Sequence, residues 1–372
     1  MIEITFFQNQ VTQYEVLHHF RLGLSKGFEK NGVHITVADV LDPSFKKKFY
    51  SRPPDFTLAF NGLQPFNDGH FLSEELETPH IAWLVDSAHY FHQLAKCSLN
   101  ILIAPDRQSQ DLLESWGSTN AYFLPHAFDE DLVYTSENRP FPLVFLGSLM
   151  DPIEIEELWK RHLPPSIYKN LLDASEITLK MPSMTYQRAF LEVFNANPNF
   201  FEQFSHTQIS GFATTFDRYI RAKDRIELLK NLKGFPVHIY GNCLSKRTWN
   251  DFIESDSYCI HPAVNFLEAI EIMKNAKIII NSSPMFKTGG HERIFYGLGL
   301  GAAVLTNDTP WLKEHFLEDE ILIHSQRDRI EMLLTDSKKL KEMVLKGQNK
   351  VLKEHTWEVR AKQLIEILSR YS

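Results

Sequence analysis

The sequence predicts an α/β protein made of two Rossmann-like domains in tandem, and three observations carry that expectation. At 372 residues the chain is too long for one ordinary core and suits two α/β domains. Short apolar strands alternate with helical segments, the pattern of parallel sheets with right-handed crossovers. That alternation is broken once, at "ENRPFP", where Pro140 and Pro142 precede a new strand. A domain boundary belongs there.

The elements follow in order. Residues 2–7 read as a first strand. Residues 14–31 carry Val16, Leu17, Phe20, Leu24 and Phe28 at helical spacing and stop at Gly32, and 33–37 resume as strand. Further strands are expected at 56–60, 80–84, 101–104 and 121–124, with helices at 90–96 and 108–116. The first domain is therefore 1–140. The second, 141–357, opens with a strand at 143–146, and its next clear strand, 237–240, comes only after a long helical stretch. An ordinary crossover needs far fewer residues, so about 151–214, including the aromatic "FLEVFNANPNFFEQF", reads as a helical insertion ahead of a crossover helix at 215–232. A helix near 265–275, a strand at 277–281, a strand at 303–306 and terminal helices complete the pattern. No solenoid repeat or low-complexity tract interrupts it.

Composition excludes several classes. With 39 basic against 47 acidic residues and a net charge of -8, no bulk positive field favours nucleic acid. Cys97, Cys243 and Cys259 lack a CxxC pair, which argues against a disulfide framework or a structural zinc and for a reducing cytoplasm. No apolar run approaches the roughly 20 residues of a membrane span. A soluble protein is expected.

The richest chemistry lies in "IIINSSPMFKTGGHERIFYGLGLGAAVLTND", a strand, a small polar loop, a helix opening with charge, and a second strand. In an open α/β sheet, ligands gather at the carboxyl ends of strands, where helix N-termini offer free N–H groups and partial positive charge. The Ser282, Ser283 and Thr288 hydroxyls, the Gly289 and Gly290 backbone, and the Lys287 and Arg293 cations have the parts of a diphosphate cradle. A glycine turn with solvated charges is the plainer alternative.

Other constellations are weaker. Asp86, His89 and His92 offer three metal-ligand types, but their spacing winds round a helix. Asp129, Glu130 and Asp131 form a DxD-like triplet that reads as a solvated acidic turn. "GLGLG" from 297 to 301 lacks the dinucleotide spacing and suits close helix–sheet packing. "FKKKFY" reads as a solvated face, with peripheral contact to a lipid-linked or polyanionic ligand as its functional alternative. No metal site is expected.

The long segment resembles the donor site of GT-B glycosyltransferases, in the branch related to the spore-maturation protein CgeB. Asn281, Ser283, Gly290, Arg293, Phe295, Gly301, Ala302 and Asp308 fall on that pattern. "VHIYGN", "EHTWEVRAKQLIEIL", "TPHIAWLVDSAHY" and "YFLPHAFD" resemble further segments of the branch in the same order. The resemblance implies a GT-B fold, with two Rossmann-like domains facing across a cleft and a closing helix, 358–372, returning to the first domain. It also implies a UDP-, GDP- or dTDP-linked sugar donor held by the second domain without a metal or other cofactor. The acceptor would be a glycan, lipid or protein, with no nucleic acid involved.

On that reading Lys287 and Arg293 neutralise the leaving diphosphate, and Gly147 and Ser148 approach it through backbone N–H groups. Asp86, after the strand "IAWLV", is a candidate base whose alternative role is a helix N-cap. His126 is a second candidate, with a hydrogen-bonded structural role as its alternative. Tyr296 stands where the branch carries a ribose-binding Glu, and Glu292, one helical turn earlier, is expected to take over that contact. A second class stays open, a GT-B protein that binds nucleotide sugar or glycan without catalysis.

Overall fold

The computed structural model describes residues 2–8, 13–195, 206–254 and 256–371. Among these the strands form two parallel six-stranded sheets. The first comprises β1 (Glu3–Phe7), β2 (His34–Ala38), β3 (Phe56–Phe60), β4 (His80–Trp83), β5 (Asn100–Ala104) and β6 (Ala121–Phe123), in the order β2-β1-β3-β4-β5-β6. The second comprises β7 (Phe141–Leu146), β8 (Val237–Tyr240), β9 (Tyr258–His261), β10 (Ala276–Ile280), β11 (Ala303–Thr306) and β12 (Leu322–Ile323), in the order β12-β11-β10-β7-β8-β9. Central strands such as β3 are buried along their length, which is why they read as unbroken apolar runs.

The chain divides into two compact units, Met1–Leu132 with Val351–Ser372, and Val133–Lys350. The second unit reaches back beyond the expected start at 141 because Arg139 is buried in it. Its guanidinium donates to the carbonyls of Met273, Lys274 and Ala276 (3.3, 2.8 and 3.1 Å) and of Leu300 (2.7 Å). The return to the first unit likewise begins before 358. The closing helix Trp357–Leu368 is capped by Thr356, whose hydroxyl accepts from the Val359 amide at 3.3 Å. Trp357 is fully buried among Phe20, Phe60 and Trp83. The helix Val16–Lys30 makes room for it with Gly23, where a Cβ would lie 2.4 Å from the indole.

In the second unit the expected insertion contains the helices Pro152–His162, Pro165–Lys180 and Tyr186–Asn195. The remainder of the aromatic stretch, 196–205, lies outside the described residues. The crossover helix His206–Asn231 starts earlier than expected because it serves two cores. Phe216, Tyr219 and Ile220 join the insertion's cluster around Trp159, Leu171 and Phe190, while Ala222, Ile226 and Leu229 pack on the sheet.

The second sheet starts in its middle. From β7 the chain moves outward through β8 and β9, then returns to β10 on the other side of β7 and proceeds to β11 and β12. The direction reverses between β7 and β10, and crevices at the carboxyl ends of such strands are where open α/β sheets hold ligands.

Candidate functional site

The reversal point is crowded with charge from three elements. On the crossover helix, Asp217, Arg221, Asp224 and Arg225 are spaced at four, seven and eight residues, which sets them along one face. Asp224 ties two loops together. Its carboxylate accepts from the Ser282 hydroxyl at 2.5 Å and from Asn307 Nδ2 at 2.8 Å, while Asn307 Oδ1 accepts from the Ser283 amide at 2.7 Å. Buried Asn281 completes the frame after β10, donating to Ser283 Oγ (2.8 Å) and Thr306 Oγ1 (2.9 Å). His324 Nε2 donates to the Asn281 carbonyl at 2.9 Å, and burial pushes its pKa down, so the ring is neutral at physiological pH.

Three guanidiniums gather on this frame. Arg225 donates through Nη1 to the Ser148 carbonyl after β7, and its Cζ lies 3.5 Å from where a Gly147 Cβ would stand. Its Nε is buried without a hydrogen-bond partner. Burial, then the neighbouring Arg221 and Arg293, push its pKa down to about 9. Arg221 pairs with buried Asp217. Arg293, on the first turn of the helix Glu292–Gly299, donates to Asn281 Oδ1 at 3.4 Å, and its Nη2 lies 3.9 Å from Glu292 Oε1. Burial also holds the Arg293 pKa below its usual value. Asp217, Asp224 and Glu292 lie among these cations and offset part of their mutual repulsion.

The start of that helix is capped by His291, whose Nδ1 accepts from the Arg293 amide at 3.3 Å; Glu292 Oε2 lies 2.9 Å from the same nitrogen. Burial pushes the His291 pKa down. Glu292 is half-buried beside His291 and Arg293.

Other expected residues are placed differently. Buried Lys287 turns away from the guanidiniums and donates to the carbonyls of Thr178 and Met181 (2.7 Å to the latter), at the C-terminal end of the helix Pro165–Lys180. Burial pushes its pKa down to about 8. The carbonyls of a helix end are a natural cation site, and here they hold the cation assigned to phosphate from sequence. Gly290 answers to packing, since a Cβ there would lie 2.4 Å from Phe295 and 2.8 Å from Trp311. Gly289 is buried and Thr288 half-buried. The Gly147 N–H, one of the two expected phosphate donors, donates instead to the Tyr240 carbonyl at 2.9 Å and continues the β7–β8 ladder, while Ser148 Oγ accepts from the Asn242 amide at 3.2 Å. Tyr296, 2% exposed, meets the ring of Phe266 edge-on at 5.4 Å and belongs to the core.

In the first unit, Asp86 is exposed beyond β4 and accepts from Asn61 Nδ2 at 3.1 Å, and the N-cap position of the following 3-10 helix, Ala88–Lys96, falls to Ser87. His126 is 2% exposed, its ring 6.1 Å from that of Phe20, so it is a core residue without a solvent-facing edge. The His89 ring lies tilted against Tyr90 with centroids 4.0 Å apart, and His92 meets Trp116 edge-on at 6.1 Å. Asp131 and Glu130 pair with Lys26 and Lys30 at 2.6 and 2.7 Å. Among the described residues no group of three or more His, Cys, Asp or Glu is placed to hold a metal, and no helix is long and apolar enough to cross a membrane. In the helix Phe45–Ser51, Phe45 and Phe49 are buried, while Lys46 and Lys48 pair with Glu75 and Asp42.

Arg221 and Arg225 were missed in the sequence because they lie on a helix far from the glycine loop. The readable signal was their four-residue spacing together with the acids at 217 and 224.

Comparison with known proteins agrees with this architecture. Residues 221–366 match a family described as glycosyl transferase-like, a span that begins at Arg221. No curated protein sequence matches the chain. Among solved structures, the sucrose-phosphate synthase of Thermosynechococcus elongatus is similar at 9% identity and TM-score 0.54, covering 100% of this chain and 99% of that one. HepE of Anabaena, in complex with UDP and glucose, is similar at 12% identity and TM-score 0.53, with 100% of both chains covered. An α-glucosyltransferase in complex with UDP and a 13-mer DNA is similar at 11% identity and TM-score 0.56, with 99% of both covered. The chain has the two-domain α/β GT-B fold of these glycosyltransferases.

Proposed function

We propose that this chain is a glycosyltransferase of the CgeB-like branch, moving a sugar from a UDP-, GDP- or dTDP-linked donor to a glycan, lipid or protein acceptor without a metal. The observation that carries the reading is the cluster of Arg221, Arg225 and Arg293 at the β7–β10 reversal, with Arg225 Nε buried and unsatisfied. A diphosphate satisfies that nitrogen, relieves the repulsion and finds backbone N–H groups at the start of the helix Glu292–Gly299. The UDP and UDP-glucose held by HepE and the α-glucosyltransferase support this ligand class.

In the transfer, an acceptor oxygen bonds to the anomeric carbon and the bond from that carbon to the diphosphate breaks. The electron pair leaves on the β-phosphate oxygen, where the guanidiniums meet the growing charge. Single preorganised donors of this kind typically lower a barrier by roughly 3 to 4 kcal/mol. The acceptor's proton goes to Asp86, the exposed carboxylate at the carboxyl end of β4. Glu292 takes the ribose hydroxyls in place of the family carboxylate that Tyr296 replaces, so UDP is expected to bind more tightly than 2′-deoxy-UDP in the wild type and equally in Glu292→Gln.

Tyr296 favours a second reading, a GT-B scaffold that binds without transferring. Calorimetry with UDP in EDTA, followed by nucleotide release from UDP-, GDP- and dTDP-glucose, separates the readings. UDP binding that survives EDTA, with release, is the expected result. Binding without release selects the scaffold, and no binding removes both.

A further inference from the structure

The second unit holds a cavity that the proposed donor site does not use. Its volume is about 650 Å³, within the range of small-molecule sites. It lies at the amino-terminal end of the second sheet, where Lys277, the second residue of β10, and Gly301, just ahead of β11, meet the helices Arg327–Thr335 and Ser337–Glu354 and the segment 135–139. Asn281, which frames the guanidinium cluster, follows the opposite end of β10, roughly 13 Å along the strand from Lys277.

The walls are preformed. The segment 135–139 is pinned on both sides, because Arg139 commits its guanidinium to the carbonyls of Met273, Lys274, Ala276 and Leu300, and the Tyr134 carbonyl accepts from Gln348 Nε2 at 3.1 Å. Gly301, at φ +73°, permits this approach, since a Cβ there would lie 2.6 Å from the Tyr134 carbonyl oxygen. Across the cavity, Leu340, Lys341, Val344 and Leu345 recur at helical spacing and so share one face of Ser337–Glu354.

Two properties of the lining select a ligand. Leu333, Leu334, Leu340, Val344 and Leu345 supply an aliphatic surface, and all but Leu345 continue into the core of the sheet. A hydrocarbon chain is stabilised by covering it. The charge is one-sided although the whole chain carries -8, for Arg139, Lys277, Lys338 and Lys341 stand in the lining against Glu137 alone. Arg139 is committed to carbonyls, and Lys341 pairs with Glu137 at 2.5 Å. Lys277 and Lys338 have no ion pair among the described residues. Asp336, between the two helices, is directed elsewhere: its Oδ1 accepts from the Lys338 and Lys339 amides at 3.1 Å each, and its Oδ2 lies 3.6 Å from the Lys339 ammonium.

We infer that this cavity binds a single-chain amphiphile with an anionic head, a carboxylate or a phosphate, its hydrocarbon chain along the leucines and its head at Lys277 and Lys338. Both halves of the ligand are needed, because the leucines give a bare anion nothing and the ammonium groups give a neutral chain nothing. The inference is independent of the donor chemistry and holds whether or not the chain transfers a sugar.

Calorimetry on the full chain with dodecyl phosphate and with dodecanoate, each below the concentration at which it forms micelles, tests it. At least one of the two is expected to bind with a stoichiometry of about one, and at least about tenfold more tightly than dodecyl maltoside or inorganic phosphate, which lack the charge and the chain respectively. The double substitution Lys277→Gln with Lys338→Gln is expected to weaken binding by about tenfold or more and to remove the preference over dodecyl maltoside. Leu345→Glu, at a position 43% exposed, is expected to weaken binding likewise without lowering the melting temperature, and it decides the matter if the lysine variant does not fold. Equal affinity for dodecyl maltoside, equal affinity for inorganic phosphate, or no binding of either amphiphile overturns the inference. Wild-type affinity in the folded variants also overturns it, by placing the amphiphile elsewhere on the chain. Flotation with phosphatidylglycerol vesicles completes the test, since binding to vesicles without uptake of either monomer would replace the cavity with a membrane surface.

Discussion

Arg225 shows how the proposed donor site is expected to behave. Burial and two neighbouring guanidiniums hold its pKa near 9, well under the ordinary arginine value, so the empty fold carries this proton at a cost at neutral pH. A depressed folded-state pKa means that the associated stability is present at high pH and is lost as pH falls through about 9. Binding has the opposite sign, because a diphosphate prefers the protonated site. UDP affinity is therefore expected to be level near neutrality and to decline as pH rises above about 9. In Arg225→Met, calorimetry is expected to show UDP affinity lower by about tenfold to a hundredfold, the loss of one charged hydrogen bond, with a shallower decline above about pH 9 because Arg293 remains, and no drop in melting temperature. Equal pH profiles for the two proteins would place Arg225 outside the site. At this scale the sequence was only partly legible. Arg293 announced itself by following a glycine loop, whereas Arg225 is brought to β7 by tertiary packing of a helix dozens of residues away.

The elements near the site divide the work in a way that residue types alone did not reveal. Lys287, in the loop after β10, and Arg293, on the first turn of the helix that follows, stand six positions apart, and both read as phosphate ligands. Only the fold separates them, because the insertion's helix Pro165–Lys180 ends where its carbonyls capture the Lys287 ammonium. Met285 in the same loop packs into the insertion's apolar cluster, so the insertion braces the loop from behind. Lys287→Met keeps the aliphatic stem and strands two carbonyls. Urea unfolding is expected to show a loss of about 1 to 3 kcal/mol, while UDP affinity changes far less than in Arg225→Met. Loss of UDP binding at unchanged stability would instead restore Lys287 as a phosphate ligand. Strand legibility followed the same physics. Buried strands such as β3 and β11 appear in the sequence as runs of mostly apolar residues with the observed bounds. β9 and β12 escaped because one is a half-exposed edge strand and the other only two residues long.

At the scale of the whole chain, the path leaves the first unit at Leu132 and returns to it at Val351. The return is structural as well as topological. Trp357 fills a gap that Gly23 leaves open, and Trp357→Ala is expected to cost about 3 to 5 kcal/mol in urea unfolding; a negligible change would mean the first unit closes without its last helix. The proposed chemistry divides along the same path, with the guanidiniums in the second unit and Asp86 in the first. Binding and transfer are then separable by substitution in the intact chain. Asp86→Asn keeps the shape and the exposed position but cannot take a proton, and general bases typically contribute about 10² to 10⁴ in rate. It is expected to titrate UDP with wild-type affinity and to release nucleotide from the donor at least about a hundredfold more slowly. A parallel loss of UDP affinity would mean that Asp86 shapes the donor site, and the assignment of the base would pass to another residue.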